Sequence, residues 1–405
     1  MPFLIERRQV LLKLEAVPGT AETIAAADNL PRTRNIKISP ASLQVDRPTN
    51  RATLTNFPKL SPGQITHEVT FQVEMGGLPG NPQTTFAEPN WSKALRACAF
   101  THQGARELTI GAITGGPFRH GELVTQTTSN ATGTVVGDTF TPTPALFLTV
   151  VSGSFTTTAG HILTGGTSGA TTAAPSVVSA NTYNTWKLTS DVLGMASATI
   201  EARVDGKILK LRGCRGTVEW QMQHGDIVLM SFTFRGSQVS YIDGAVFTTG
   251  LQDSQFTPPA FFNPTFTLSD GTVTAASGNI TTINYALNNA IVNRENSIST
   301  SGDGIDQIYI TDRAPTGSFN PEEVINTVYN FMAAYKSGLA QRLRLIVGGT
   351  SGNRFHFLTP GLLFTGLGDA DRDGIMNWDG SFDITGGEYG SGLAGSDNEI
   401  VVIGN

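Results

Sequence analysis

The run Gly368-Asp369-Ala370-Asp371-Arg372-Asp373-Gly374 sets three carboxylates at alternate positions and follows them with a glycine. That spacing opens the EF-hand loop, where such oxygens take Ca2+ and the glycine permits the sharp turn. The twelfth position of the loop is Gly380, however, where a bidentate Glu is needed, and the flanks read as strands. Asp369, Asp371 and Asp373 are therefore expected to form an Asp/Gly-rich turn with no metal bound. The six histidines, His67, His102, His120, His161, His224 and His356, lack the paired spacing of zinc ligands. Neither a G-x-S-x-G elbow nor a complete phosphate-binding G-x-x-x-x-G-K-[ST] loop occurs, and no Asp/Glu pair stands out as acid and base. Sequons at Asn90-Trp91-Ser92 and Asn130-Ala131-Thr132 carry little weight, because the first residues do not read as a secretory signal. The expectation is a chain with no catalytic, cofactor-binding or metal residue, and not an enzyme.

The elements that would position any site are mostly strands. Only 15% of the residues are charged, while Thr, Gly, Val and Ile are plentiful, a balance that favours strands joined by tight turns. The formal net charge of −6 argues against a grip on nucleic acid phosphates, which depends on Lys and Arg displacing counterions. Two cysteines, Cys98 and Cys214, are too few for a disulfide scaffold and are expected to be buried thiols. No apolar run reaches the ~20 residues of a membrane-spanning helix, so a soluble protein made in the cytoplasm is expected.

ITHEVTFQVEM, from Ile65, alternates apolar and polar residues and predicts a half-buried strand, with His67 as a structural histidine on the apolar face. A short helix is predicted over 89–100, with Pro89 at its first position and Trp91, Leu95 and Cys98 on one face. Later strands include two hairpins, around Asp205-Gly206 and around His224-Gly225-Asp226. A second, stronger helix is predicted over 320–338. Asn320 would cap it, Pro321 would open it, Glu323 would close a capping box, and Val324, Val328, Phe331, Met332 and Tyr335 would form its apolar stripe.

Two phrases in the middle of the chain are variants of each other: GELVTQTTSNATGTVV from Gly121 and GHILTGGTSGATTAAP from Gly160. Duplication of a Thr/Gly-rich phrase suggests a small β-module of two similar halves, inserted in a surface loop with a Thr/Ser-rich outer face. The predicted fold is mainly β, with two tandem β-sandwich domains that each pack one helix, plus the inserted module. The first domain would span 1–114 and 180–246, the insert 115–179, a Pro-rich linker 247–264 and the second domain 265–405.

The opening run KLEAVPGTAETIAAADNLPRTRNIKISP, with its Glu-x-x-x-Gly-Thr phrase, resembles the tail tube (major tail) proteins of long-tailed bacteriophages. So do the Trp91, Leu95, Arg96, Ala97, Cys98 pattern and the segment ATIEARVDGKILKLRGCRGTVEWQMQHGDIVLMSFTFRG, including Gly213 to Gly216. The two sandwich domains are thus expected to be tail-tube-like. The resemblance covers most of 1–245 and transfers no catalytic residue. It implies a structural virion protein whose rings stack around a lumen that conducts DNA during ejection without binding it. Further partners implied are the tape measure, tail terminator and distal tail proteins. Two tube domains per chain would make a homotrimer with approximate sixfold symmetry. The segment 39–64, long for a hairpin connection, is expected to reach the neighbouring ring. Competing readings are a β-rich adhesin or glycan-binding virion protein, and a hydrolase carried on a virion.

Overall fold

The computed structural model describes residues 7–47, 50, 52–53, 55, 58–61, 63, 65–78, 88–136, 145–252, 257–269, 279–299, 303–326, 328–349, 352–386 and 397–404. The first half contains β1 (Arg8–Leu14), β2 (Thr33–Ser42), β3 (Ile65–Glu74), α1 (Asn90–Arg96) and β4 (Phe100–Thr109). The inserted module follows as β5 (Leu123–Gln126), β6 (Thr132–Val135), β7 (Ala145–Ser152), β8 (Leu163–Gly165) and β9 (Thr171–Thr172). The half ends with β10 (Val177–Leu188), β11 (Ala198–Val204), β12 (Gly206–Gln223) and β13 (Leu229–Gly244). The second half holds β14 (Thr265–Ser269), β15 (Ile280–Ala286), β16 (Asn289–Glu295), β17 (Ile305–Arg313), β18 (Thr316–Pro321) and α2 (Phe331–Ser337). It closes with β19 (Gln341–Val347), β20 (Phe355–Arg372), β21 (Ile375–Thr385) and β22 (Val401–Gly404). The fold is mainly β.

Every ladder is antiparallel, and the two halves repeat one strand order. In the first half the hydrogen-bonded sequence is β1-β11-β12-β13-β3-β2. In the second it is β14-β19-β20-β21-β18-β15. Numbered by rank among these six strands of each half, both read 1-4-5-6-3-2, and in each a helix lies between the third strand and the fourth, joined in the first half by β4 to β10. The halves differ in what is added. Between the second and third strands the first half has the connection 43–64 and the second has the hairpin β16–β17.

Alternation in β3 places Val69, Phe71 and Val73 in the core and turns Glu68, Thr70, Gln72 and Glu74 outward, as the period of two requires. The core does not divide between the halves. Trp91 of α1 stacks near Trp186 and Phe355, and Trp220 and Tyr285 both meet Phe357, within one cluster running from Val10 to Val402. The described residues of 247–264, expected as a linker, are irregular but tied down. Asn29 and Gln252 exchange two hydrogen bonds, Phe261 bonds back to Asp226 (2.7 Å), and its ring is fully buried.

The module packs a core of Phe118, Val124, Ala131, Val135, Leu146, Leu148, Phe155, Leu163 and Ala170, which Leu108 of β4 and Ile110 help to close. Its two copies match in structure: Val124 and Leu163 are buried, as are Ala131 and Ala170, and Gly121 and Gly160 both have positive φ. Side chains of the first copy pin the second. Buried Glu122 accepts from Thr167 N, Ser168 N and Ser168 Oγ, and Gln126 bonds Thr156 and His161. The outer face is less polar than expected, since Leu123 and Ile162, at equivalent positions of the two copies, are exposed.

Both helices are shorter than predicted. α1 begins after Pro89, which is the N-cap and not the first helical residue, and Phe100 already opens β4. The larger correction is at 320–338. Thr316–Pro321 is a strand between β15 and β21, and Asn320 caps nothing. Its Oδ1 instead accepts from Thr281 N (3.1 Å) and Thr282 N (2.7 Å), filling the bulge in β15. Ladder bonds on both sides outweigh a local helix start, whose nucleation is costly by itself. Asn330 caps the surviving turns through Ala333 N (2.8 Å), and Gly338 ends them at φ 61°. Of the expected stripe, Phe331 alone is fully buried; Val328, Met332 and Tyr335 are exposed.

Candidate assembly surface

The residues that looked capable of chemistry are dispersed by the fold. Asp369 and Asp371 lie on β20 and Asp373 in the turn to β21, where Asp373 (φ 54°) and Gly374 (φ 83°) form a two-residue hairpin connection. Asp371 Oδ1 accepts from Gly374 N (2.7 Å), so the acidic run shapes a turn. Among the described residues no group of three or more His, Cys, Asp or Glu could hold a metal ion. His67 Nε2 bonds Gln238 Oε1 (2.6 Å) and His102 Nε2 bonds Asn184 Oδ1 (2.8 Å). Both cysteines are buried free thiols, and burial pushes their pKa values up, away from reactive thiolate. No described helix is long and apolar enough to cross a membrane.

The Glu-x-x-x-Gly-Thr phrase has a structural role. Buried Glu15 accepts four hydrogen bonds, from Gly19 N (2.7 Å), Gly213 N (2.8 Å), Ser197 Oγ (2.6 Å) and Thr199 Oγ1 (3.0 Å). Gly213 lies at φ 61° in an irregularity of β12, so the turn after β1 and the Gly213 to Gly216 segment hold each other in place. The hairpin β16–β17 clamps over the same segment. Arg212 bonds Gly19 O (2.8 Å) and pairs with Asp303 (2.6 Å), while buried Arg215 donates to Ile308 O (2.8 Å) and Met195 O (2.7 Å). The alternation within 279–295 gives no sign of this clamp. The available signal was the Asn288-Asn289 pair, where Asn288 turns the chain at φ 52°.

The outward face of the joined sheets is polar. One row across it runs Gln72, Ser231, Glu219, Ala286, Thr316, Asp383; the next runs Glu74, Leu229, Gln221, Asn284, Ser318, Ser381. These rows carry three carboxylates, and on β2 the first row continues to Arg34, opposite Gln72; Arg34 and Arg32 both pair with Glu74. They border a shallow groove of about 500 Å³ lined by Gln221, Gln223, Thr282 and Asn284.

Sheet edges complete the surface. Two ladders stitch the halves: Asn184 to Lys187 of β10 pair with Gly404 to Val401 of β22, and, in a sheet-to-sheet seam, Glu219 to Gln223 of β12 pair with Ala286 to Thr282 of β15. Two comparable edges have no second ladder among the described residues: 363–372 of β20 and 37–42 of β2. Past Ser42, a Val45–Leu60 bridge extends the β2–β3 hairpin into an arm bearing exposed Leu43, Val45 and Leu60. Residues 48, 49, 51, 54, 56, 57, 62 and 64 of the 39–64 segment lie outside the described residues. No family model matches the chain, and no curated protein is significantly similar to it.

Proposed function

We propose that the chain is a structural subunit of a phage tail tube, three copies closing a ring of approximate sixfold symmetry. The observation that carries this reading is the 1-4-5-6-3-2 strand order repeated in both halves, joined by a sheet-to-sheet seam within the chain. A molecule that is already two similar units joined side by side needs only one more such junction, between copies, to continue the series until it closes. Rings stacked in turn make an open filament, for which the exposed apolar arm offers a contact with the next ring. A polar face with carboxylates and few cations suits a lumen that duplex DNA slides through, since little counterion release would hold it. In this reading the inserted module, attached through β4 and β7, marks every second unit on the outside of the ring. Tape measure, terminator and distal tail proteins would meet the tube at its lumen and ends.

Negative-stain electron microscopy of the purified full-length protein tests the proposal. Stacked rings of uniform bore, with three protrusions per ring, are the expected image. Six identical protrusions would mean six chains. Compact trimers with affinity for glycans would support the adhesin reading in its place.

A further inference from the structure

Within the chain, the fifth-ranked strand of one half (β12) pairs through its outer edge with the second-ranked strand of the other (β15). Among the described residues, strands of the same ranks remain with open edges at the two ends of the joined sheet: β20 is fifth in the second half and β2 is second in the first half. An unpaired row of backbone N–H and C=O groups is a template for another strand, and long open edges are normally covered. Here the complement of each open edge is another copy of the same chain.

Resting on the ring reading above, we infer that neighbouring copies join by pairing residues within 363–372 of β20 with residues within 37–42 of β2 in the next copy, reproducing the intrachain seam. Charge favours the match. Lys37 is exposed and makes no ion pair among the described residues. Asp369 and Asp371 are exposed on β20, likewise without a cationic partner there. The acidic run that resembled a calcium loop thus acquires a partner of opposite sign on the facing edge, which favours correct encounter and disfavours like-with-like pairing. Pro40 lacks an N–H and so removes at most one ladder bond from the seam, while the other residues of 37–42 keep theirs. Such a contact is heterologous, donor edge to acceptor edge, and generates a ring when its rotation closes.

The test uses the full chain under conditions where it assembles. Zero-length carbodiimide cross-linking followed by mass spectrometry is expected to join Lys37 of one copy to Asp369 or Asp371 of another. Lys37→Glu, or Asp369→Lys with Asp371→Lys, should raise the critical concentration for assembly about tenfold or more. The triple variant carrying all three changes should restore it, and unchanged monomer melting temperatures would show that each variant folds. Tubes whose cross-links avoid these residues, or reversals that assemble like wild type, would overturn the seam while leaving the tube reading standing. Absence of any ring or tube from the wild-type protein would sink both.

Discussion

Removal of the Glu15 carboxylate should expose how much of the fold hangs on the turn after β1. In Glu15→Ala, the backbone N–H groups of Gly19 and Gly213 lose their acceptor, while Ser197 and Thr199 can rotate toward other partners. An unsatisfied buried donor costs about 1–3 kcal/mol; with Gly213 buried and Gly19 half-buried, the pair predicts a loss of about 4 kcal/mol. Glu15→Gln keeps one oxygen. One oxygen of the carboxylate serves Gly19 and Ser197 and the other serves Gly213 and Thr199, so the amide strands one backbone donor and predicts about 2 kcal/mol. The expected ratio of about two to one is a stronger test than either value, because each N–H contributes once. Urea unfolding followed by tryptophan fluorescence is a suitable assay, since Trp91, Trp186, Trp220 and Trp378 are all buried. It should be run below the assembly concentration, where mass action does not mask the monomer's stability. The shared core predicts one cooperative transition. A loss below about 1 kcal/mol for Glu15→Ala, or equal losses for both variants, would refute the reasoning.

Deleting residues 115–179 and joining the flanks with a short linker should leave polymerisation intact, because most of the module's core lies within the deleted residues; insoluble protein after a clean deletion would count against this. Chelation should leave the melting temperature unchanged, and a drop restored by calcium would make Asp369, Asp371 and Asp373 a metal site. His356 is buried beside Phe147, and burial, reinforced by Arg344 and Arg354, holds its pKa well below the usual value. The unfolded chain therefore takes this proton first as pH falls below about 6.5, and stability drops by up to about 1.4 kcal/mol per pH unit. His356→Phe should remove that contribution, so wild type should lose more stability than the variant between about pH 6.5 and pH 5, as read by urea unfolding; parallel curves would contradict it.

What the sequence determined alone was local. Alternation from Ile65 to Met75 is a property of neighbouring residues, and it survives intact in β3 because side chains on a strand must alternate. Asp205-Gly206 turns the chain where it should, with Gly206 at φ 88°, and the duplicated phrase becomes two matched hairpins. Tertiary structure decided which strands meet. Nothing in residues 316–321 announces that β15 and β21 will flank them, yet those ladders convert an apparent capping box into a strand and leave a helix only from Phe331. Phe261 sits among residues that read as a linker, but the turn of a distant hairpin holds it in the core. The seam between β12 and β15, like the open edges of β2 and β20, exists only after strands far apart in the chain have been ordered side by side. Pairing energy depends on partners that no local pattern specifies, and for that reason the candidate assembly surface was not legible before the fold.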